Sequence, residues 1–474
     1  MAALQEVPIA AISTERFRPL LDDGYAEVEE AIARAHEVLR GRIVWHVNST
    51  ARGGGVAEML HSLLAYGRGA GVDLRWLTIG GSPEFFRLTK RLHNHLHESP
   101  GDDGELGPAE HEIYQQGLMQ SADELTGLVR KGDIVYIHDP QPAGLVPHVK
   151  SAEMSVVWRC HIGIDNPGRY AHEAWEFLRP YIEDADAYVF SRKRFAWDGL
   201  DEDRTWIVPP SIDIFSPKNQ DLDPEAVRSI LALIGIRSGD HFAKAIFRHL
   251  DGSEARVDRH AELDQDGPVP DDAPLVTQVS RWDRLKDPVG VLRAFAEHCR
   301  TADAHLLLVG PSVAGVADDP EGAEVLADVR AQREGLDPEL RARVHLATLP
   351  MDDVAENAAM VNAIQRRSDV VLQKSLAEGF GLTVAEAMWK SKPVVAGSVG
   401  GIQDQIEDGV SGVLVDPTDL ESAGRAIDGL LQDPERAARM GEAARQRVIE
   451  QFLGTRHLLQ YLDLLAGMLD SDQA

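Results

Sequence analysis

Two glutamates at a fixed spacing give this 474-residue sequence its most specific chemical signal. Glu378 and Glu386 lie on either side of a Gly-x-Gly turn that leads into an apolar run. Such a turn predicts a strand end followed by a helix, whose first backbone N–H groups can bind a ligand. Carboxylates in that position can accept hydrogen bonds from the vicinal hydroxyls of a sugar or a ribose. Glu386 alone could merely compensate the helix dipole. That explanation fits Glu378 less well, because Glu378 precedes two glycines at a strand end.

Two basic residues follow another predicted strand, Leu275–Val279. Arg281 and Lys286 stand in the segment Ser-Arg-Trp-Asp-Arg-Leu-Lys, at the strand end where open α/β sheets bind ligands. A planar guanidinium and a compact ammonium could both reach a diphosphate. The alternative is an exposed basic loop without a ligand.

A third candidate segment is a run of three glycines, Gly53–Gly55, between a predicted strand and an apolar helix. Glycines allow the backbone to approach a phosphate closely, but they could equally serve a tight turn. The segment has neither a Walker lysine nor a G-x-G-x-x-G pattern, so nucleotide triphosphatases and dinucleotide enzymes are disfavoured.

Polar residues end two predicted strands of the first half of the chain. Asp139 and Gln141 follow His138, and His161 follows the run Trp-Arg-Cys. A single histidine is usually structural, but two such strand ends beside a glycine loop favour a site. The histidines 93, 95 and 97 lack an accompanying carboxylate or cysteine pattern, so we predict no metal site.

Composition excludes several classes of function. The chain has 48 Lys+Arg against 77 Asp+Glu, a net charge of −29, which argues against a nucleic-acid partner. It lacks an apolar stretch of about 18 residues, so we expect no membrane partner. Two cysteines, Cys160 and Cys299, and an N-terminus without a basic signal-peptide region predict a cytoplasmic protein.

Short β-branched runs alternate with amphipathic segments along the whole chain, which predicts an α/β fold with two doubly wound parallel sheets. The predicted strands of the first half are 42–47, 74–79, 133–138, 155–161, 187–190 and 206–208. Those of the second half are 275–279, 305–309, 344–347, 369–372, 393–396 and 412–415.

Two prolines, Pro209 and Pro210, place the predicted domain boundary, giving domains at 1–211 and 212–454. The polar segment 237–273 shows little periodicity and is interpreted as an insertion or long linker rather than a core element. Leucines at helical spacing predict a C-terminal helix within 455–474.

Together these segments resemble retaining glycosyltransferases of family 4, which have the GT-B fold of two Rossmann-like domains facing a central cleft. The resemblance rests on the glycine loop, the SRxxxxK segment and EGFGLTVAE. The longer segments HVNSTARGGGVAEMLHSL, HDPQPA, VWRCHI and QKSLAEGFGLTVAEAMWKSKPVV resemble trehalose glycosyltransferring synthases. Retaining trehalose phosphorylases are similar over the same segments.

The resemblance implies a role for each candidate residue. Donor binding would involve Gly54, Gly55, Arg281, Lys286, Glu378, Phe380, Gly381, Leu382 and Glu386. Arg281 and Lys286 would meet the diphosphate, Glu378 the transferred glucose and Glu386 the ribose. His161 would stabilise charge at the anomeric carbon, and Asp139 with Gln141 would bind the acceptor. The C-terminal helix would pack back on the first domain.

The implied reaction is reversible front-face transfer of glucose, with retention, from a nucleoside-diphosphate glucose such as UDP- or ADP-glucose to free glucose. Domain closure would exclude water. The resemblance implies no obligatory cofactor, Mg²⁺ at most stimulating the reaction, and a homodimer whose only other partners are its small-molecule substrates. A trehalose phosphorylase using glucose 1-phosphate, a glucosyltransferase with another acceptor and a non-catalytic sugar- or nucleotide-binding protein remain alternatives.

Overall fold

The computed structural model describes residues 3–51, 55–239, 244–313 and 320–471. Contacts between Cα atoms divide the chain into two compact units. The first unit comprises Met1–Ser211 and Gly454–Ala474, and the second comprises Ile212–Leu453.

The first unit is built on a sheet with the strand order β1-β3-β2-β4-β5-β6-β7. Its strands are β1 (Leu4–Val7), β2 (Val44–Asn48), β3 (Leu74–Ile79), β4 (Ile134–His138), β5 (Ser155–Cys160), β6 (Ala187–Phe190) and β7 (Thr205–Ile207). All pairings are parallel except the edge pairing of β1 with β3. Every residue of β2 and β4 is buried, as expected for strands covered by helices on both faces.

Helices cover both faces of this sheet. They are α1 (Arg18–Leu21), α2 (Tyr25–Val38), α3 (Gly55–Gly69), α4 (Pro83–Leu96), α5 (Pro108–Leu128), α6 (Val146–Ser151), α7 (Arg169–Ile182) and, from the end of the chain, α17 (Gly454–Ser471). The C-terminal helix α17 packs against α2 and α3. Its residues Leu458, Leu462 and Leu465 are buried in the same apolar cluster as Val44 and Tyr136 of the sheet.

The second unit repeats the design, with the strand order β10-β13-β12-β11-β14-β15-β16 in its main sheet. Its strands are β8 (Ile246–Arg248), β9 (Glu254–Arg256), β10 (Glu262–Asp264), β11 (Leu275–Val279), β12 (His305–Pro311), β13 (Val344–Leu349), β14 (Val370–Gln373), β15 (Val394–Gly397) and β16 (Val413–Val415). Its helices are α8 (Pro224–Leu233), α9 (Pro288–His298), α10 (Pro320–Glu334), α11 (Pro338–Arg341), α12 (Val354–Arg367), α13 (Leu382–Trp389), α14 (Ile402–Gln405), α15 (Leu420–Leu431) and α16 (Pro434–Gln451).

The predicted α/β class with two doubly wound, mainly parallel sheets is therefore confirmed.

The interpretation of 237–273 as lying outside the core is wrong. Within that segment β8 and β9 form an antiparallel hairpin, and β10 pairs with β13 at the edge of the main sheet. Phe247 and Val257 are buried. Strands of three residues are too short to show a period of two, so the sequence pattern does not reveal them.

In the part of the chain that the structure describes, no helix is long and apolar enough to span a membrane.

Candidate active site

In the second unit, the loop between β14 and α13 presents the predicted Gly-x-Gly turn at a helix N-terminus. Gly381, the residue before α13, has φ +85°, a left-handed conformation that favours glycine. A second glycine pair covers this loop: the N–H of Gly401 donates to the carbonyl of Gly379 at 3.0 Å. A Cβ on Gly400 would lie 1.6 Å from the carbonyl oxygen of Glu378, so only glycine permits this close approach.

The structure brings Lys286 and Glu378 together. The Nζ of Lys286 lies 2.5 Å from Oε2 of Glu378, and the two side chains are 16% and 11% exposed. One further bond joins the loops that hold them: the N–H of Leu376 donates to the carbonyl of Leu285 at 2.7 Å. Another bond ties the Lys286 loop to β11, because the Gln278 amide donates to the Lys286 carbonyl at 2.8 Å. A cation and a carboxylate are thus fixed, partly exposed, beside a helix N-terminus.

A second ion pair joins the same two loops and was not predicted from the sequence. Lys374 is fully buried, pairs with the carboxylate of Asp287 and donates to the carbonyl of Pro417 at 2.5 Å. Asp287, with φ +49°, accepts from the N–H of Gly290 at 3.0 Å and caps α9. Because Asp287 follows Lys286 directly, this buried pair anchors the loop that presents Lys286.

Arg281 stands apart from the Lys286–Glu378 pair. Its side chain is 64% exposed, and its guanidinium donates to Asp283 at 2.8 Å. Asp283 in turn accepts from the N–H of Leu285 at 2.8 Å, so it belongs to the same loop. The predicted basic pair therefore consists of one fixed ammonium and one exposed guanidinium.

Glu386 is only 3% exposed, on the first turns of α13. Its Oε1 lies 3.6 Å from the Nζ of Lys218, and its Oε2 is buried with no hydrogen-bond partner among the described residues. Lys390, one turn later, donates to the Glu386 carbonyl at 3.0 Å and to Oδ1 of Asn219 at 2.9 Å. Burial holds the pKa of Lys390 well below its usual value. An unsatisfied carboxylate oxygen in such surroundings is suited to accept from a ligand hydroxyl.

In the first unit, Asp139 and His161 meet where β4 and β5 end. Oδ1 of Asp139 accepts from the backbone N–H of His161 at 2.7 Å, and Asp139 has φ +67°. Burial raises the pKa of Asp139 to about 7, against the opposing effects of that N–H and of the Arg159 charge. Nearby, Oε1 of Gln141 is buried and unpartnered among the described residues. Both predicted acceptor residues therefore lie at this edge of the sheet.

A chain of three histidines ends at His161 and was not predicted. Nε2 of His161 lies 3.1 Å from Nδ1 of His138, whose Nε2 lies 2.9 Å from Nδ1 of His46. Burial lowers the pKa of His46 to about 3 and those of the other two well below 6.5. All three rings are therefore neutral at pH 7.

Arg159 determines the proton positions along this chain. Its Nε–H donates to Nδ1 of His161 at 3.4 Å, which leaves the proton of that ring on Nε2. His161 then donates to His138, and His138 to His46, so each ring carries its proton on Nε2. The sequence signal for this network is a polar residue inside otherwise apolar strands, as in the runs VWHVN and VWRCHI.

Gly55 begins α3, as predicted. Gly53 and Gly54, the other glycines of the candidate phosphate loop, lie outside the described residues. Within the described ranges, no group of three His, Cys, Asp or Glu side chains is placed to hold a metal ion.

Comparison with known proteins covers both units. Residues 46–197 match a family described as trehalose synthase, N-terminal domain, and residues 260–447 match glycosyl transferases group 1. A trehalose synthase from Thermococcus litoralis is 36% identical over 454 residues, which cover 95% of this chain and 96% of that protein. A trehalose phosphorylase from Pleurotus sajor-caju is 29% identical over 427 residues, which cover 85% of this chain and 54% of that protein.

Solved structures agree on the fold. An E. coli structure described as trehalose-6-phosphate bound with UDP-2-fluoro glucose superposes with a TM-score of 0.66 at 14% identity, covering 90% of this chain and 99% of that one. At that identity the likeness concerns architecture alone, and it confirms the predicted GT-B fold. The 36% identity over nearly all of both chains shows the family: this chain belongs to the trehalose synthase family of glycosyltransferases.

Proposed function

We propose that this protein is a retaining glucosyltransferase that forms trehalose reversibly from a nucleoside-diphosphate glucose and free glucose. The observation that carries the proposal is the Lys286–Glu378 pair, 2.5 Å apart and partly exposed beside the N-terminus of α13. A sugar-binding protein without catalysis has no need for a cation held against the carboxylate that binds the sugar. The trehalose synthase relative, aligned over nearly the whole chain, supports trehalose as the product.

The second unit would bind the donor. Glu378 accepts hydrogen bonds from the hydroxyls of the transferred glucose, and Lys286 turns from it toward the diphosphate, joined there by Arg281. The backbone N–H groups of Phe380–Leu382 offer the partial positive charge of a helix start to the same group. Glu386, whose Oε2 has no partner among the described residues, accepts from the ribose hydroxyls. In the first unit Gly54 and Gly55 would approach the diphosphate.

The reaction exchanges one bond at the anomeric carbon for another on the same face. The bond from that carbon to the phosphate oxygen breaks, and the hydroxyl oxygen of glucose forms the new bond. The proton of this hydroxyl passes to the departing phosphate oxygen, so no separate base is required. Lys286 and Arg281 stabilise the negative charge that develops on the phosphate, which is the main electrostatic contribution to the rate.

The first unit would hold the acceptor. Asp139 and Gln141 present carboxylate and amide oxygens at the strand ends, and both can accept from glucose hydroxyls. Both ring nitrogens of His161 are engaged within the unit, one by Arg159 and one by His138. His161 would therefore stabilise charge at the anomeric carbon through its backbone carbonyl and the edge of its ring.

A trehalose phosphorylase is the second candidate, because a phosphorylase from Pleurotus sajor-caju aligns with 85% of this chain. The same Lys286–Glu378 pair would then hold glucose 1-phosphate. Glu386 favours the nucleotide donor, because its unpartnered buried oxygen would otherwise have no ligand. We further propose that the enzyme needs no obligatory cofactor, that Mg²⁺ at most stimulates it and that it forms a homodimer.

The experiment that tests the proposal is product analysis with the purified protein and glucose. One set of reactions contains UDP-, ADP- or GDP-glucose, and a parallel set contains glucose 1-phosphate. Trehalose from a nucleotide donor alone supports the synthase, and trehalose from glucose 1-phosphate with release of phosphate supports the phosphorylase. Another disaccharide would redirect the acceptor assignment, and no product from either set would overturn the proposal.

A further inference from the structure

A group of polar side chains, most of them buried, lies between the sheet of the first unit and the C-terminal helix. We call it the arginine–tyrosine cluster; its members are the buried residues Tyr136, Arg159, His457 and Tyr461 and the partly exposed Arg456. The rings of Tyr136 and Tyr461 are 5.1 Å apart, those of His457 and Tyr461 are 4.6 Å apart, and the Arg159 guanidinium is 5.9 Å from the Tyr461 ring. The cluster is distinct from the residues assigned above to the donor and the acceptor.

Each member has a buried polar atom without a hydrogen-bond partner among the described residues. These atoms are the hydroxyls of both tyrosines, one terminal nitrogen of Arg159, Nε of Arg456 and Nε2 of His457. Buried polar groups in folded proteins are nearly always satisfied, so five such atoms on neighbouring side chains require an explanation. The two arginine nitrogens can only donate hydrogen bonds, and the two tyrosine hydroxyls and the imidazole nitrogen can each donate one.

The cluster also has an excess of positive charge. Arg159 is 0% exposed, and its two engaged nitrogens donate to the Val208 carbonyl at 2.7 Å and to His161. Arg456 donates to the carbonyls of Pro209 and Pro210 at 2.9 Å and 3.0 Å. Within the described part of the chain, neither arginine forms a salt bridge with a carboxylate. A buried charge without a counter-charge is strongly destabilising.

The neighbouring titratable groups do not balance this positive charge. Burial lowers the pKa of His457, and burial together with the Arg159 charge lowers the pKa of Arg456 to about 9. Burial raises the pKa values of Tyr136 and Tyr461, so both phenols stay protonated. The charge of Asp139 acts on Arg159 and Tyr461, but burial raises the pKa of this carboxyl group to about 7, so it is only partly ionised at neutral pH.

We propose that the arginine–tyrosine cluster binds one small monovalent anion of halide size, chloride under ordinary conditions. These unpartnered polar atoms favour a small spherical ion that accepts several hydrogen bonds at once, and two guanidinium groups supply its counter-charge. Arg456, His457 and Tyr461 come from α17, whereas Tyr136 and Arg159 come from β4 and β5. The anion therefore fastens the C-terminal helix to the sheet and fixes Arg159 where it meets His161.

Crystallography with bromide tests the site directly. Crystals of the full-length protein grown in bromide should give an anomalous difference peak enclosed by Tyr136, Tyr461 and Arg159. A peak there, absent from crystals grown in gluconate, is the expected result. Density that refines as water without anomalous signal would overturn the proposal.

A solution measurement with matched variants gives a second test. The melting temperature should rise saturably with chloride or bromide, compared with sodium gluconate at the same ionic strength, because a ligand that binds only the folded state stabilises it. Tyr461→Phe keeps the packed ring but removes one donor, and we expect at least a tenfold weaker apparent halide affinity. Tyr188→Phe is the control, since the Tyr188 hydroxyl donates to the Glu183 carbonyl outside the cluster. Equal halide dependence in both variants, or none in the wild type, would contradict the anion site.

Discussion

The ammonium group of Lys286 lies 2.5 Å from Oε2 of Glu378, although 92 positions separate the two residues in the chain. Each follows a different strand of the second unit, β11 and β14, and these two strands are neighbours in the sheet. The carboxyl ends of adjacent parallel strands therefore place the cation proposed to bind phosphate against the carboxylate proposed to bind the sugar. The proposed chemistry depends on this juxtaposition.

Replacing Lys286 by alanine should abolish most of the turnover. The variant loses the ammonium proposed to stabilise the departing phosphate, so we expect kcat to fall by about 10²–10³-fold, as for loss of one preorganised donor to a developing charge. Steady-state kinetics with the active donor measures the effect. The matched control is Lys131→Ala, because the Lys131 side chain is 81% exposed on the first unit and should leave kcat unchanged. A loss of less than tenfold in Lys286→Ala would exclude this residue from the catalytic machinery.

Replacing Glu386 by glutamine should affect the nucleotide donor selectively. The amide keeps the volume of the side chain but loses the charge proposed to bind the ribose hydroxyls. We expect the KM for the nucleoside-diphosphate glucose to rise about 10–100-fold, equivalent to roughly 1–3 kcal/mol. Glu378→Gln, by comparison, should lower kcat. An unchanged donor KM in Glu386→Gln, with circular dichroism showing a folded protein, would argue against a nucleotide at this position.

The ion pair between the buried Lys374 and the partly exposed Asp287 should support both stability and catalysis. Lys374→Met leaves the Asp287 carboxylate without its partner, so we expect a loss of roughly 2–4 kcal/mol in the free energy of unfolding. Displacement of the loop that carries Asp287 should also move Lys286 out of position and so lower kcat. Urea unfolding and kinetics of the same samples measure the two effects. The double variant Lys374→Met/Asp287→Asn removes the unpaired charge and should recover much of the stability but not kcat; recovery of both would show that the pair does not position Lys286.

Asp139 should make stability and acceptor binding depend on pH in opposite directions. Its pKa is raised to about 7 in the folded protein, against about 3.9 for an unfolded Asp. The folded state therefore holds the proton more tightly, and this contribution to stability is present below pH 4 and is lost as the pH rises through 7. We expect the free energy of unfolding of the wild type, taken relative to that of Asp139→Asn, to fall by roughly 2–4 kcal/mol as the pH rises from 4 through 7.

The same variant tests the role of Asp139 in catalysis. The ionised carboxylate is the stronger acceptor, so kcat/KM for glucose in the wild type should rise as the pH increases through 7. The amide of the Asp139→Asn variant would keep the bond from the His161 N–H but carry no charge, so the profile of that variant should be flat there. Parallel profiles for both proteins would show that Asp139 does not orient the acceptor.

The strand pattern and the site loops could be predicted from the sequence because both depend on local signals. Strands β3, β6 and β11 begin and end at the predicted residues, since buried parallel strands appear as short β-branched runs bounded by turn residues. The edge strand β1, with the sequence LQEV, has no such signal and was not predicted. Its place is fixed by pairing with β3, which no local pattern shows.

The supporting network of the site could not be predicted, because it depends on which distant residues meet. The histidine chain requires His46 on β2, His138 on β4 and His161 after β5 to point to one face of adjacent strands. The ion pair of Lys374 with Asp287 likewise joins two loops that follow neighbouring strands, β14 and β11. A sequence shows that such residues are polar in apolar surroundings, but their partners follow only from the strand order.

The most direct test of the account is an NMR measurement of glucosyl transfer. The purified enzyme is incubated with unlabelled glucose and with a nucleoside-diphosphate α-glucose carrying ¹³C at the anomeric carbon. We predict α,α-trehalose with the label in one anomeric position and release of the nucleoside diphosphate. A β-configured label, or labelled free glucose as the only product, would contradict retaining transfer to glucose.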